Sequence, residues 1–92
     1  MSTAIVTLTI MPESPATDLK KIEHEALKII TDFSDERQKR VDIKPVAFGL
    51  QSINIVFLMD EKKGDIEPVE KKIGEIEGVQ SVECTDIRRI IG

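Results

Sequence analysis

The sequence has neither tryptophan nor tyrosine, one cysteine, one histidine and three phenylalanines in 92 residues. A single thiol, Cys84, cannot close an internal disulfide, and a chain this small without that staple is expected in a reducing, cytoplasmic compartment. Cys84 sits in the alternating run Val82-Glu83-Cys84-Thr85, where a small buried hydrophobe is expected and a reactive thiol is not. No charged-then-apolar leader and no long apolar span stands out, so no membrane association is expected. One histidine makes no metal site. His24 opens His24-Glu25-Ala26-Leu27-Lys28, which starts like a two-histidine zinc helix but has lysine where the second ligand must stand, so it is expected at the surface.

The phosphate-cradling loops are missing as well. Neither Gly-x-Gly-x-x-Gly nor Gly-x4-Gly-Lys-Ser/Thr occurs, and the chain is not expected to hold a nucleotide by itself. No nucleophile stands beside a base at usable spacing, so no catalytic residue, no cofactor and no resident metal are expected. Two acidic groups, Asp32 with Asp35 and Glu36, and Asp60 with Glu61, lack the spaced oxygen ligands and fixed glycine of a calcium loop. Helix ends and solvated turns account for them.

Cationic excess is also absent. The formal charge is -4, which argues against affinity drawn from counterion release off a nucleic-acid backbone. Arg37, Lys39 and Arg40 sit together in a polar stretch that reads as a solvated loop. An RNA-binding sheet displays stacking aromatics on its central strands, whereas the strands expected here offer Thr3, Ile5, Thr7 and Thr9, with Phe57 as their only ring. No direct nucleic-acid contact is expected.

What the chain does have is aliphatic periodicity. At this length it has room for one core, so residues 1–92 are expected to form a single domain. Ala4, Val6, Leu8 and Ile10 alternate through residues 3–11 and predict a strand. Met11-Pro12-Glu13-Ser14-Pro15 breaks it. Thr17 or Asp18 can cap a helix whose stripe is Leu19, Ile22, Ala26, Ile29, Ile30 and Phe33. A polar loop is expected over 34–40 and a second strand from Val41. Residues 41–60 are too long for one strand, and Phe48-Gly49-Leu50 marks a hairpin. Its second arm alternates Ile53, Ile55, Phe57 and Met59 and ends in the charged turn 60–64. Asp65 is the expected cap of a second helix, with Pro68 in its first turn and a stripe of Ile66, Val69, Ile73 and Ile76 stopping at Gly78. Gly74 weakens that helix. A final strand runs from Val79 to Ile91. The order βαββαβ, with two one-sided helices, predicts an α+β, ferredoxin-like sandwich: a four-stranded antiparallel sheet with both helices on one face.

Pattern alone yields no function, because this fold hosts many. Two stretches go further. Lys44-Pro45-Val46-Ala47-Phe48-Gly49-Leu50 with Ile53-Asn54-Ile55, and Val79-Gln80-Ser81-Val82-Glu83, resemble the guanine-nucleotide exchange domain of elongation factor 1-beta. Met11-Pro12-Glu13-Ser14 and Thr85-Asp86-Ile87-Arg88-Arg89 are similar to its compact archaeal type, which consists of that domain alone. The resemblance covers essentially the whole chain, with Pro-Val-Ala-Phe-Gly-Leu its most specific part.

The resemblance implies a ferredoxin-like fold and one protein partner, the GTPase elongation factor 1-alpha, which brings the nucleotide. It implies contact through the hairpin bearing Phe48 and Gly49 and through the last strand at Arg88, Arg89 and Ile90. Arg89 takes the place of the basic residue directed at the partner's magnesium and phosphates, where the eukaryotic pattern has lysine. Without the resemblance, Phe48 reads as a core ring and Arg88 and Arg89 as ordinary solvated residues near a strand end. A cytoplasmic monomer is expected, with ring and guanidinium on one docking surface. An acylphosphatase-like enzyme and a ferredoxin-like regulatory or oligomerising module are the competing readings. The first needs an arginine in the loop before the first helix, where the chain has Ser14-Pro15-Ala16.

Overall fold

The computed structural model describes residues 2–34, 39–60 and 65–91, with the backbone alone at Ser2, Ser34, Ile90 and Ile91. Six elements follow in the order β1 (Ser2–Pro12), α1 (Leu19–Ser34), β2 (Lys39–Pro45), β3 (Gln51–Asp60), α2 (Glu67–Gly74) and β4 (Val79–Ile91). The strands form one antiparallel sheet in the order β2-β3-β1-β4. This is the ferredoxin-like α+β architecture that the alternation of patterns predicts.

β1 lies at the centre because it is apolar enough to be covered. Ala4, Val6, Leu8 and Ile10 are buried on one face, opposite Met59, Phe57, Ile55 and Ile53 of β3. Ile22, Ala26 and Ile30 of α1, spaced four apart, and Val69 and Ile73 of α2 close over that face. Each fully buried Leu or Ile contributes about 1.5–3 kcal/mol. Phe57 belongs to this core, and the opposite, open face carries no aromatic ring among the described residues.

Local chemistry sets the ends of the elements. The Asp18 carboxylate accepts the amides of Lys20 at 3.1 Å and Lys21 at 3.3 Å, capping α1. Asp65 accepts the Glu67 amide at 3.1 Å, one position before the cap residue Ile66, and Pro68 occupies the first turn. α2 is shorter than its apolar stripe suggests. It ends at Gly74, after which Glu75, Ile76 and Val79 bond back three residues, to Lys72, Ile73 and Ile76. Those tighter turns carry Ile76 onto the core without a helix. β2 begins at Lys39, two residues before the predicted Val41, because Lys39 and Arg40 find partners in Phe57 and Val56. Arg37 and the turn residues Glu61 to Gly64 lie outside the described residues.

Gly78 joins the two ends of the loop system at the Pro12 side. Its carbonyl accepts the Glu13 amide at 2.8 Å, its φ is +95°, and an added Cβ would stand 2.8 Å from the Thr17 methyl. Gly78→Ala is expected to cost about 2 kcal/mol, and Thr17→Ser in the same chain should recover part of it by removing that methyl. Chemical denaturation measures both; an unchanged midpoint in Gly78→Ala refutes the strain.

Glu70 is held above the usual carboxylate range, first by burial and then by Glu67, Asp65 and Glu83. A raised folded value means that the folded state binds this proton more tightly than the unfolded chain does. Stability is therefore lost as pH rises through that window. Glu70→Gln should stabilise the protein at neutral pH, with the gain vanishing in acid below the carboxylate range. Denaturation curves at the two pH values check the sign.

Candidate functional site

Ala47-Phe48-Gly49-Leu50 closes the β2–β3 hairpin, with the Val46 amide bonded to Leu50 O at 2.8 Å and the Leu50 amide to Ala47 O at 3.2 Å. Phe48 and Gly49 have φ of 61° and 77°, the positive pair of a type I′ turn, which matches the twist of the strands it joins. Gly49 adopts this at no cost and packs beside Pro15, whose ring lies 3.7 Å from where a Cβ would stand. Phe48 does not. A left-handed backbone costs an ordinary residue about 1–2 kcal/mol, and Phe48 as a whole is 94% exposed. The default reading of Phe48 as a core residue is thus corrected. Val46 and Ile43, exposed nearby, extend the apolar tip.

The end of β4 is built by its register with β1. Leu8 stands opposite Cys84, but Thr7 stands opposite Asp86, leaving Thr85 as an extra residue in a bulge. The Thr85 hydroxyl lies 3.3 Å from Thr9 Oγ1 and 3.5 Å from the Thr7 carbonyl. This insertion shifts the alternation. Ile87 falls beside Val6 on the helix-covered face, Arg88 beside Ile5 on the open face, and Arg89 beside Ala4 on the helix side. Arg88 Nε meets Asp86 Oδ2 at 3.0 Å, consistent with both lying on the open face. Ile90 stands opposite Thr3. The sequence reading did not single out Ile87, which is 53% exposed; its signal was the odd spacing between Cys84 and Ile87 in an otherwise alternating strand.

These two groups of residues are not brought together. The hairpin tip lies beyond the row where Pro12 stands level with Val79 and close to Gln51, whereas Arg89 is level with Ala4 and Met59. From Ala4 to Pro12 the strand rises roughly 26 Å at about 3.3 Å per residue, in a molecule 42 Å long. The expectation of one compact surface holding ring and guanidinium is corrected: Phe48 with Gly49, and Arg88 with Arg89 and Ile90, occupy opposite ends. Antiparallel geometry forces this. A hairpin between β2 and β3 and the C-terminal end of β4 must face opposite ways once β1 pairs antiparallel with both β3 and β4.

His24 is exposed, and no cluster of three or more possible metal ligands occurs among the described residues. Cys84 is partly buried against the core, and burial followed by the Glu70 charge pushes its thiol up, away from the thiolate. The loop after β1 is lined by Glu13, Asp18 and Glu77 around Lys21. Carboxylates there repel phosphate, which opposes an acylphosphatase-like cradle. No helix is long and apolar enough to cross a membrane among the described residues.

Comparison with known proteins agrees with the motifs. The chain is 33% identical over 91 residues to elongation factor 1-beta of Methanothermobacter thermautotrophicus, covering 99% of this chain and 100% of that protein. It is 35% identical over 91 residues to elongation factor 1-beta of Methanosphaera stadtmanae, with the same coverage. It is 34% identical over 87 residues to that of Methanocaldococcus jannaschii, covering 95% and 97%. Residues 5–90 match the profile of the EF-1 guanine nucleotide exchange domain, and the chain belongs to that family.

Proposed function

We propose that residues 1–92 act as one exchange domain that promotes replacement of GDP by GTP on elongation factor 1-alpha, in the cytoplasm, by protein contact and without covalent chemistry. The observation that carries this reading is the family match over residues 5–90. The working form is a monomer that binds neither nucleotide nor nucleic acid itself. The regulatory-module and acylphosphatase-like alternatives gain no comparable support.

The two ends of the sheet have separate tasks in this reading. The end of β4 presents Arg88, Arg89 and Ile90 to the nucleotide side of the GTPase, with Arg89 directed at the magnesium and phosphates. A planar guanidinium suits a phosphate or a switch carboxylate through paired hydrogen bonds, where lysine would act as a point charge. The partner holds GDP largely through its phosphates and Mg²⁺, so a cationic probe there weakens nucleotide more than it weakens the exchange factor. By linkage, the factor binds the empty GTPase more tightly than the loaded one, and incoming nucleotide expels it. Phe48, with Gly49 shaping its turn, anchors the far end. A ring held out at a backbone cost suits a contact that recovers the cost on binding.

The founding test mixes the protein with elongation factor 1-alpha preloaded with fluorescent GDP. Release should accelerate, and an unchanged rate removes the assignment. Arg89→Ala should lower the limiting rate about 10- to 100-fold, the loss of one charge-assisted contact. Phe48→Ala should instead raise the concentration needed for half-maximal release about tenfold or more, with the limiting rate kept. The reverse pattern would show the roles of the two ends exchanged. Phe48→Asn should stabilise the isolated protein by about 1 kcal/mol, since asparagine tolerates the left-handed backbone, while weakening the complex. A stability loss in that variant contradicts the strain assigned to Phe48.

A further inference from the structure

β4 is an edge strand, paired with β1 on one side and with no described strand on the other. The opposite edge, β2, carries Lys39, Arg40, Asp42 and Lys44 and ends in Pro45, the charges and proline with which edges resist pairing. Past its bulge β4 carries charges too, at Asp86, Arg88 and Arg89. From Asp86 to Ile91 it has neither proline nor glycine, and it exposes Ile87.

Symmetry restricts how two such edges can meet. When two copies of a strand pair antiparallel about a twofold axis, their sheet faces stay on the same side, and residues directly opposite share a face. The axis must then pass through a residue. Among the residues of this stretch whose side chains are described, an axis through Asp86 sets carboxylate against carboxylate, and one through Arg88 or Arg89 sets guanidinium against guanidinium. Through Ile87 it sets Ile87 against its own copy and places Asp86 opposite Arg88 twice. Asp86 and Arg88 are already 3.0 Å apart on the open face, so four charges would alternate in sign across the joint while the two exposed Ile87 side chains cover each other on the helix side.

We propose that the β4 edge at Asp86, Ile87 and Arg88 docks a second copy of this chain, centred on Ile87, joining two four-stranded sheets into one. The joint contains Arg88 and adjoins Arg89 and Ile90, so a paired molecule withholds the end that the proposed GTPase contact uses. That consequence rests on the proposed function; the self-association does not.

Sedimentation velocity over about 10 µM to 1 mM protein tests it. The average mass should climb from one chain, 10.3 kDa, towards two. Asp86→Arg and Arg88→Asp each place like charges opposite one another and should weaken association about tenfold or more. In a mixture of the two variants, a chain with arginine at both positions faces a chain with aspartate at both. Every cross-strand pair is then again of opposite charge, and association should return. Ile87→Lys should abolish it. Circular dichroism verifies that these surface changes keep the fold. A constant single-chain mass across the range, or association indifferent to the charge changes, or a mixture that stays monomeric overturns the proposal. Loss of GDP release with association intact would count against the exchange reading alone.

Discussion

The central strand constrains everything else. β1 must pair on both sides, with β3 and β4, and must keep Ala4, Val6, Leu8 and Ile10 on the face that the helices cover. A slip of one residue would turn that whole set to the open side. With so few aromatics, burial rests on many aliphatic side chains of similar size, each of which contributes only if the alternation holds from end to end. The two helices are amphipathic covers for that face, and the loops between them serve to return the chain to it.

Most of this architecture was legible because its signals are periodic. The stripe Ile22, Ala26 and Ile30 and the alternation Ile53, Ile55, Phe57 and Met59 each state both an element and its buried face. The misjudged features are those in which one local feature broke a period. The Ile66–Ile76 stripe outlasts α2, since turns of tighter pitch keep a side chain pointing at the core for one more step. Lys39 and Arg40 look like loop residues because charge says nothing about backbone pairing, and a strand at a sheet edge tolerates both.

The candidate site rests on residues singled out by motif, Phe48 and Arg89, and its geometry was illegible, because no motif tells where two segments lie relative to each other. The strand order does. The antiparallel pairing of β1 with both neighbours sends the hairpin bend and the last residues of β4 to opposite poles, so a partner engaging both must offer a long surface. The exposure of Phe48 was hidden for another reason: composition places phenylalanine inside, and the positive φ that holds its ring out appears only in the folded backbone.

β4 uses thirteen residues where β1 uses eleven, and the surplus is absorbed at the irregular steps opposite Thr7/Leu8 and Met11/Pro12. The strand therefore has slack at defined places. Losing Thr85 would close the ladder while leaving the later side chains on their present sides. Losing a residue between Asp86 and Arg88 would turn the terminal arginines over instead. Loss of a residue from this strand is accordingly cheap at those two steps and costly after Asp86, which makes the final six positions of the strand a ruler against which the rest of the edge can drift.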